Sequence, residues 1–175
     1  LASLRMMEGA IERILRRHHG IDKPSFQDIK DFYDQKLHPE KIDLSDKDVW
    51  KGVFHRGRWA GIFQFTETGA QNFCKLAKPD NITDLAAITS IYRPGPLSAG
   101  VDKMFVGAKQ SPEEVSYLNE TVREITEETY GFLIFQEQIA MLAHKLGKNL
   151  SLDEGNKLRK LLTKKGTGSV QEQKD

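Results

Sequence analysis

Ile82-Thr83-Asp84-Leu85-Ala86-Ala87-Ile88-Thr89-Ser90-Ile91-Tyr92-Arg93-Pro94-Gly95-Pro96 carries the pattern of the whole chain: a helical stretch brought to a hard stop. Ile82, Leu85, Ala86, Ile88 and Thr89 recur at helical spacing, and the two prolines then fix φ, remove N–H donors and push their predecessors towards extended backbone. A stiff loop follows. The same periodicity extends outward in both directions and predicts helices over about 2–18, 25–37, 46–55, 67–77, 82–91, 97–108, 120–128, 136–147 and 151–165. Two short runs break it. Residues 61–65 and 132–135 are rich in Ile and Phe and bounded by glycine, which predicts two short β-strands that pair among the helices. The expected fold class is mainly α with those two strands.

Leu1, Leu4, Met7, Ile11 and Ile14 fall at helical spacing with no N-cap residue before them, so the chain reads as a segment of a longer polypeptide. Asp43-Leu44-Ser45-Asp46 reads as a turn into the third helix. No repeat and no Pro/Gly/Ser-rich linker divides the sequence, so residues 1–165 are expected to form one helical unit. Residues 166–175, which lack apolar periodicity, are expected to be a frayed tail or a connection.

Hydrophobic residues make up 38% of the 175 and charged residues 29%, a composition that excludes a disordered or membrane-embedded chain. No apolar run approaches the roughly 20 residues that span a bilayer, so no membrane partner is expected. The single cysteine, Cys74, excludes an internal disulfide, and with no Cys/His cluster beside it argues against structural zinc. The cytoplasm is the expected compartment. Net charge is +1, so bulk electrostatics make no case for nucleic acid, but basic residues gather in Arg13-Arg16-Arg17-His18-His19, in His55-Arg56-Arg58 and in Lys157-Arg159-Lys160-Lys164-Lys165. Asp46, Asp48, Asp102 and the acidic 120–128 stretch show no metal-ligand spacing, and no metal is assigned to them.

The last helix is the best bounded. Ser151-Leu152-Asp153-Glu154 matches a capping box, and Leu158, Leu161 and Leu162 are expected to form its buried stripe with Arg159 flanking them. Lys157, Lys160 and Lys164 lie within about 60° of one another at 100° per residue. Such a row either tracks phosphates, with Arg159 adding a bidentate contact, or is a solvated face. Arg93 has two readings of its own, a pocket residue or a cap for the carbonyls that end its helix. Gln136 and Gln138 read as structural amides. No Gly-rich phosphate loop with Lys-Ser/Thr occurs, which argues against a stand-alone nucleotide hydrolase.

Tyr92-Arg93-Pro94-Gly95-Pro96, Thr129-Tyr130-Gly131 through Phe135-Gln136-Glu137-Gln138, and Leu158-Arg159-Lys160 with Lys164-Lys165, in that order and with Gly61-Ile62-Phe63-Gln64-Phe65 and Gly69 upstream, resemble the fingers of the bacterial and bacteriophage-type replicative DNA polymerase III alpha subunit (C-family) over nearly the whole chain. The resemblance implies a helical fingers segment of a DNA-directed DNA polymerase whose partners are dNTP, primer–template DNA and the palm and thumb of the parent chain. It implies that Arg159, Lys160, Lys164 and Arg93 bind the nucleotide phosphates, and that Ser90, Phe135 and Gln64 line the pocket. Catalysis implies Mg²⁺ held by palm aspartates, two far upstream and the third just before Leu1 in an Asp-x-Leu-Gly-Leu-Arg stretch that Leu4-Arg5 finishes. No catalytic residue is therefore expected within the segment. Four departures stand out: Lys160 replaces an arginine and keeps the charge, Thr66-Glu67 replace Glu-Ser, Phe135 replaces a tyrosine, and Leu161-Leu162-Thr163 replace small residues. Those at Phe135 and Leu161–Thr163 keep open a second reading, a non-catalytic helical interaction module derived from the same fingers.

Overall fold

The computed structural model describes residues 2–148 and 150–163, which form two compact units, Leu1–Leu44 and Ser45–Asp175. The first unit holds α1 (Ala2–His19) and α2 (Phe26–Phe32), which runs on into a π-helical turn, Tyr33–Leu37. Ile11 and Leu15, one turn apart, are the buried residues of α1. A capping box starts α2: Asp28 N–H donates to Ser25 Oγ at 3.2 Å and Ser25 N–H donates to Asp28 Oδ2 at 2.7 Å. The Ser25 hydroxyl, which donates to Asp28 Oδ2 at 2.6 Å, and after it the Ser25 N–H hold the Asp28 carboxyl below its ordinary pKa.

The second unit contains α3 (Lys47–Val49) with a π-helical turn (Trp50–Phe54), α4 (Thr68–Ala77), α5 (Ile82–Ile91), α6 (Pro94–Ser98), α7 (Val101–Gln110), α8 (Glu120–Thr126), α9 (Gln136–Leu146) and α10 (Leu152–Thr163). Its core joins Trp50, Phe54 and Phe65 to Phe73 and Cys74 of α4, Ile88 and Ile91 of α5 and Phe105 of α7. Each fully buried side chain of this size contributes about 1.5–3 kcal/mol. Burial alone pushes the Cys74 thiol up to about 12, so Cys74 is a neutral core residue.

The helices stand close to their expected places, with two physical corrections. The helix expected over 97–108 is split. Pro94 opens α6 at a position where its missing N–H leaves nothing unsatisfied, and Gly100, at φ +70°, turns the chain into α7. The two expected strands are absent among the described residues, and in each case local acceptors and donors have taken hydrogen bonds a ladder would need. Over 61–65 the chain makes successive turns, with Ile62 N–H on Trp59 O (3.0 Å), Gly61 at φ +80° and Gln64 at φ +66°. Over 132–135, Gln138 Oε1 accepts from both Ile134 N–H and Phe135 N–H, each at 2.9 Å, while Thr129 Oγ1 donates to Phe132 O at 2.7 Å. Buried Gln138 also donates from Nε2 to Ile125 O and Thr129 Oγ1. All of this amide's bonding capacity is spent on the backbone crossing, the structural role expected of it.

A buried polar network ties the second unit together. Asp84 is 1% exposed. Its Oδ2 accepts from Asp80 N–H (3.0 Å), Asn81 Nδ2 (3.3 Å) and Lys109 Nζ (2.9 Å), and its Oδ1 accepts from Tyr130 O–H (3.0 Å). Lys109 also donates to Asp80 Oδ2 at 2.9 Å. The network thus joins the start of α5 to α7 and to Tyr130, which has φ +54°. Burial opposes the Lys109 charge, but the bonds to Asp84 and Asp80 outweigh it and hold its pKa above the ordinary lysine value. Removing one member of a buried pair strands the other. Lys109→Met is therefore expected to lower stability by on the order of 3 kcal/mol. A lysine raised on folding stabilises fully below its unfolded pKa of about 10.4 and loses that contribution as pH rises through the folded value. In urea melts the gap between variant and wild type should be constant near neutrality and close only above about pH 10. A gap under about 1 kcal/mol would remove the network from its central role.

Candidate functional site

Two clusters in the second unit gather the residues singled out from sequence. The first surrounds a cavity of about 540 Å³ between the 61–67 turns, α4, α5 and the start of α6, lined by Gln64, Thr66, Glu67, Thr89, Tyr92 and Arg93 among others. Arg93 is the N-cap residue of α6, extended at φ −139° and ψ 152° because Pro94 follows it. Its exposed guanidinium makes no hydrogen bond or ion pair among the described residues and so does not cap the carbonyls that end α5. Tyr92 lies across α4, its hydroxyl 3.5 Å from Glu67 Oε2. That placement depends on Gly69, where an added Cβ would stand 2.1 Å from the Tyr92 oxygen. Gln64 reaches the cavity from a left-handed backbone (φ +66°), a conformation that costs a residue with a side chain about 1 kcal/mol and is found where surrounding structure imposes it. Ser90, half-buried on α5, is not among the lining residues; its neighbour Thr89 is.

The second cluster is the antiparallel contact of α9 and α10. Gly155 faces Ala140, where a Cβ would fall 2.6 Å from the Ala140 carbonyl oxygen, and one turn on, Arg159 Nη1 donates to Gln136 Oε1 at the first residue of α9. His144 Nδ1 meets Leu150 O at 2.6 Å where the chain turns between the helices. The expected capping box of α10 is present: Ser151 N–H donates to Glu154 Oε2 at 2.8 Å, and Glu154 N–H donates to Ser151 Oγ at 3.3 Å. The expected buried stripe is overturned. Leu158, Leu161 and Leu162 are 37%, 38% and 54% exposed, whereas Gly155 is buried and Arg159 half-buried. The residue without a side chain permits the closest approach of two helices, and that contact sets the rotation of α10 about its axis.

The α9–α10 contact therefore puts Arg159 beside the N-terminal end of α9, where the N-cap residue is Phe135. The positive helix end and the guanidinium are both suited to an anion. Phe135, half-buried, and Tyr92 of the first cluster pack against one core cluster. Lys160 is exposed on α10; Lys164 and the tail expected over 166–175 lie outside the described residues. Among the described residues no group of three His, Cys, Asp or Glu side chains is placed to hold a metal ion. Sequence reasoning missed Glu67, Thr66 and the gathering of Thr89 and Tyr92 at the cavity. Gly69, already visible beside the 61–65 stretch, was the available signal.

The family model for the bacterial DNA polymerase III alpha subunit finger domain matches residues 10–175. The DNA polymerase III subunit alpha of Treponema pallidum (strain Nichols) is 35% identical over 133 residues, 75% of this chain and 11% of that protein. The protein of the same name from Aquifex aeolicus (strain VF5) is 27% identical over 175 residues, 100% of this chain and 13% of that protein. That of Borreliella burgdorferi is 35% identical over 133 residues, again 75% and 11%. The chain spans between 11% and 13% of the length of these relatives.

Two glycine substitutions test this geometry. Gly155→Ala should separate α10 from α9 and cost about 1–3 kcal/mol, read as a lower urea midpoint. Gly69→Ala should drive Tyr92 out of its seat, read as a change in the hydrogen–deuterium exchange of α4 and the 61–67 turns with α9 and α10 unaffected. Unchanged exchange in Gly69→Ala would show that Tyr92 does not depend on this close approach.

Proposed function

The chain belongs to the bacterial DNA polymerase III alpha subunit finger-domain family, and on that premise we propose that it forms one wall of a DNA polymerase active site, where it grips the triphosphate of the incoming deoxynucleotide beside the primer–template during DNA replication in the cytoplasm. The observation that carries this reading is the pairing of Arg159 with Gln136 at the positive end of α9. A triphosphate needs several positive groups held before it arrives, and a helix N-terminus with an oriented guanidinium meets that need without reorganisation. Lys160 adds an exposed point charge from the same helix, and Lys164, outside the described residues, is assigned to the same row by its sequence spacing alone. Arg93 and Gln64 serve the nucleotide from the cavity side, and Ser90 and Phe135 support the pocket by packing. The palm and thumb of a longer polymerase complete the site. The family's chemistry uses Mg²⁺, which aligns and neutralises the reacting oxygens. The donor set among the described residues does not fit that ion, and no step through it is assigned to them.

One observation favours the second reading, an interaction module derived from these fingers. Leu158, Leu161 and Leu162 stand exposed along α10 and suit a protein partner. Nucleotide binding separates the two. A labelled dNTP titrated with the chain should bind weakly and lose affinity steeply between low and physiological salt, and the double reversal Arg159→Glu/Lys160→Glu should abolish the low-salt dNTP binding. Tight binding that is insensitive to salt and survives the double change would give the interaction module first place. In a primer-extension assay with Mg²⁺ the 175-residue chain alone is expected to incorporate nothing, and template-dependent incorporation would overturn the division of labour with the palm.

A further inference from the structure

The basic cluster His55-Arg56-Arg58 has no part in the site above, yet it sits in a tightly turned segment of the second unit. Gly57 N–H donates to Phe54 O at 3.2 Å, Arg58 N–H to Val53 O at 2.9 Å and Ile62 N–H to Trp59 O at 3.0 Å. Gly57, Gly61 and Gln64 all have positive φ. The loop is clamped at its exit as well: the Trp59 ring stacks on buried Phe65 with centroids 5.2 Å apart and planes 13° apart, and Gln71 Nε2 donates to Phe65 O at 2.8 Å.

On this rigid support Phe63 is 84% exposed. Single exposed hydrophobic residues are common on protein surfaces and by themselves call for no explanation. The surroundings of this one do. From Val49 to Thr66 the sequence holds no Asp or Glu but has Lys51, Arg56 and Arg58, all exposed. Among the described residues neither arginine has an ion-pair or side-chain hydrogen-bond partner. The left-handed backbone of Gln64 directly follows Phe63, so a conformation disfavoured for a residue with a side chain is kept where the ring is presented to solvent.

His55 of the cluster has Asp80 Oδ1 3.6 Å away, but an exposed aromatic ring five residues after Arg58 and seven after Arg56, on a loop without a carboxylate of its own, fits a polyanion with exposed π-faces. We propose that the 56–63 loop binds single-stranded DNA, with Phe63 stacking on an unpaired base while Arg56 and Arg58 each contact a phosphate. Base–aromatic stacking is available only where bases are unpaired, and the arginines supply attraction that does not depend on sequence. A protein partner would favour a wider apolar patch without the surrounding like charge. The proposal rests on the polymerase reading for the choice of DNA as the polymer, and it is tested apart from the triphosphate site.

The test uses the 175-residue chain and a 12-nucleotide single strand carrying 2-aminopurine, at low and at physiological salt. Wild type should bind and quench the 2-aminopurine. Phe63→Tyr should keep both affinity and quench, whereas Phe63→Leu, which keeps bulk and loses the ring, should weaken binding roughly tenfold and lose the quench. Arg56→Gln/Arg58→Gln should reduce the salt slope by about 1.4, two phosphates at about 0.7 each for a single strand. Arg159→Glu/Lys160→Glu should leave quench and slope in place, so failure of the triphosphate reading and failure of this one give different results. The proposal is overturned if wild type does not bind the strand, if Phe63→Leu binds within twofold of wild type, or if the arginine changes leave the slope unaltered.

Discussion

The Asp84 carboxylate is the constraint on which the second unit is arranged. A buried carboxylate must be paired and hydrogen-bonded or it destabilises the fold by several kcal/mol, and here donors from four residues converge on it. Meeting that demand brings α7 to α5 through Lys109 and brings the turn after α8 to both through Tyr130. The left-handed backbone of Tyr130 follows from the same requirement, since its hydroxyl reaches across to Asp84 while its ring packs edge-on against Phe105, centroids 5.4 Å apart. Beyond that turn, Gln138 organises the crossing into α9, and α9 in turn receives α10.

Two glycines then decide what the clusters look like. Gly155 lets α10 approach the Ala140 carbonyl, and this approach turns Arg159 inward to Gln136 and the leucines outward. Gly69 lets Tyr92 lie across α4, and this seat closes one side of the cavity that Arg93 and Gln64 share. In both places a missing side chain positions a polar or aromatic one.

Conformational strain marks the same region. Gln64 and Tyr130, both with positive φ and both without a glycine's freedom, fall in the 61–65 and 129–138 stretches that carry much of the family resemblance. At Tyr130 that conformation serves the buried Asp84 network, whereas at exposed Gln64 it serves a segment that presents particular groups at a surface.

Helix content was legible in the residues, because apolar periodicity and capping chemistry are local and the capping box at Ser151 and Glu154 acts within a few positions of itself, whereas the stiff loop read at Pro94-Gly95-Pro96 is the opening of α6. The family was legible too, through the order of its motifs. Whether Ile- and Phe-rich runs become strands was not, because that depends on what else claims their N–H groups, and at 132–135 the claimant is a glutamine from the following helix. Nor was the face of α10 legible, since hydrophobic residues announce a stripe while the closest approach belongs to Gly155. Only the tertiary structure, by burying Asp84 and seating Gly69 against Tyr92, determined which distant residues meet. Those contacts are made between segments far apart in the chain, where periodicity carries no information.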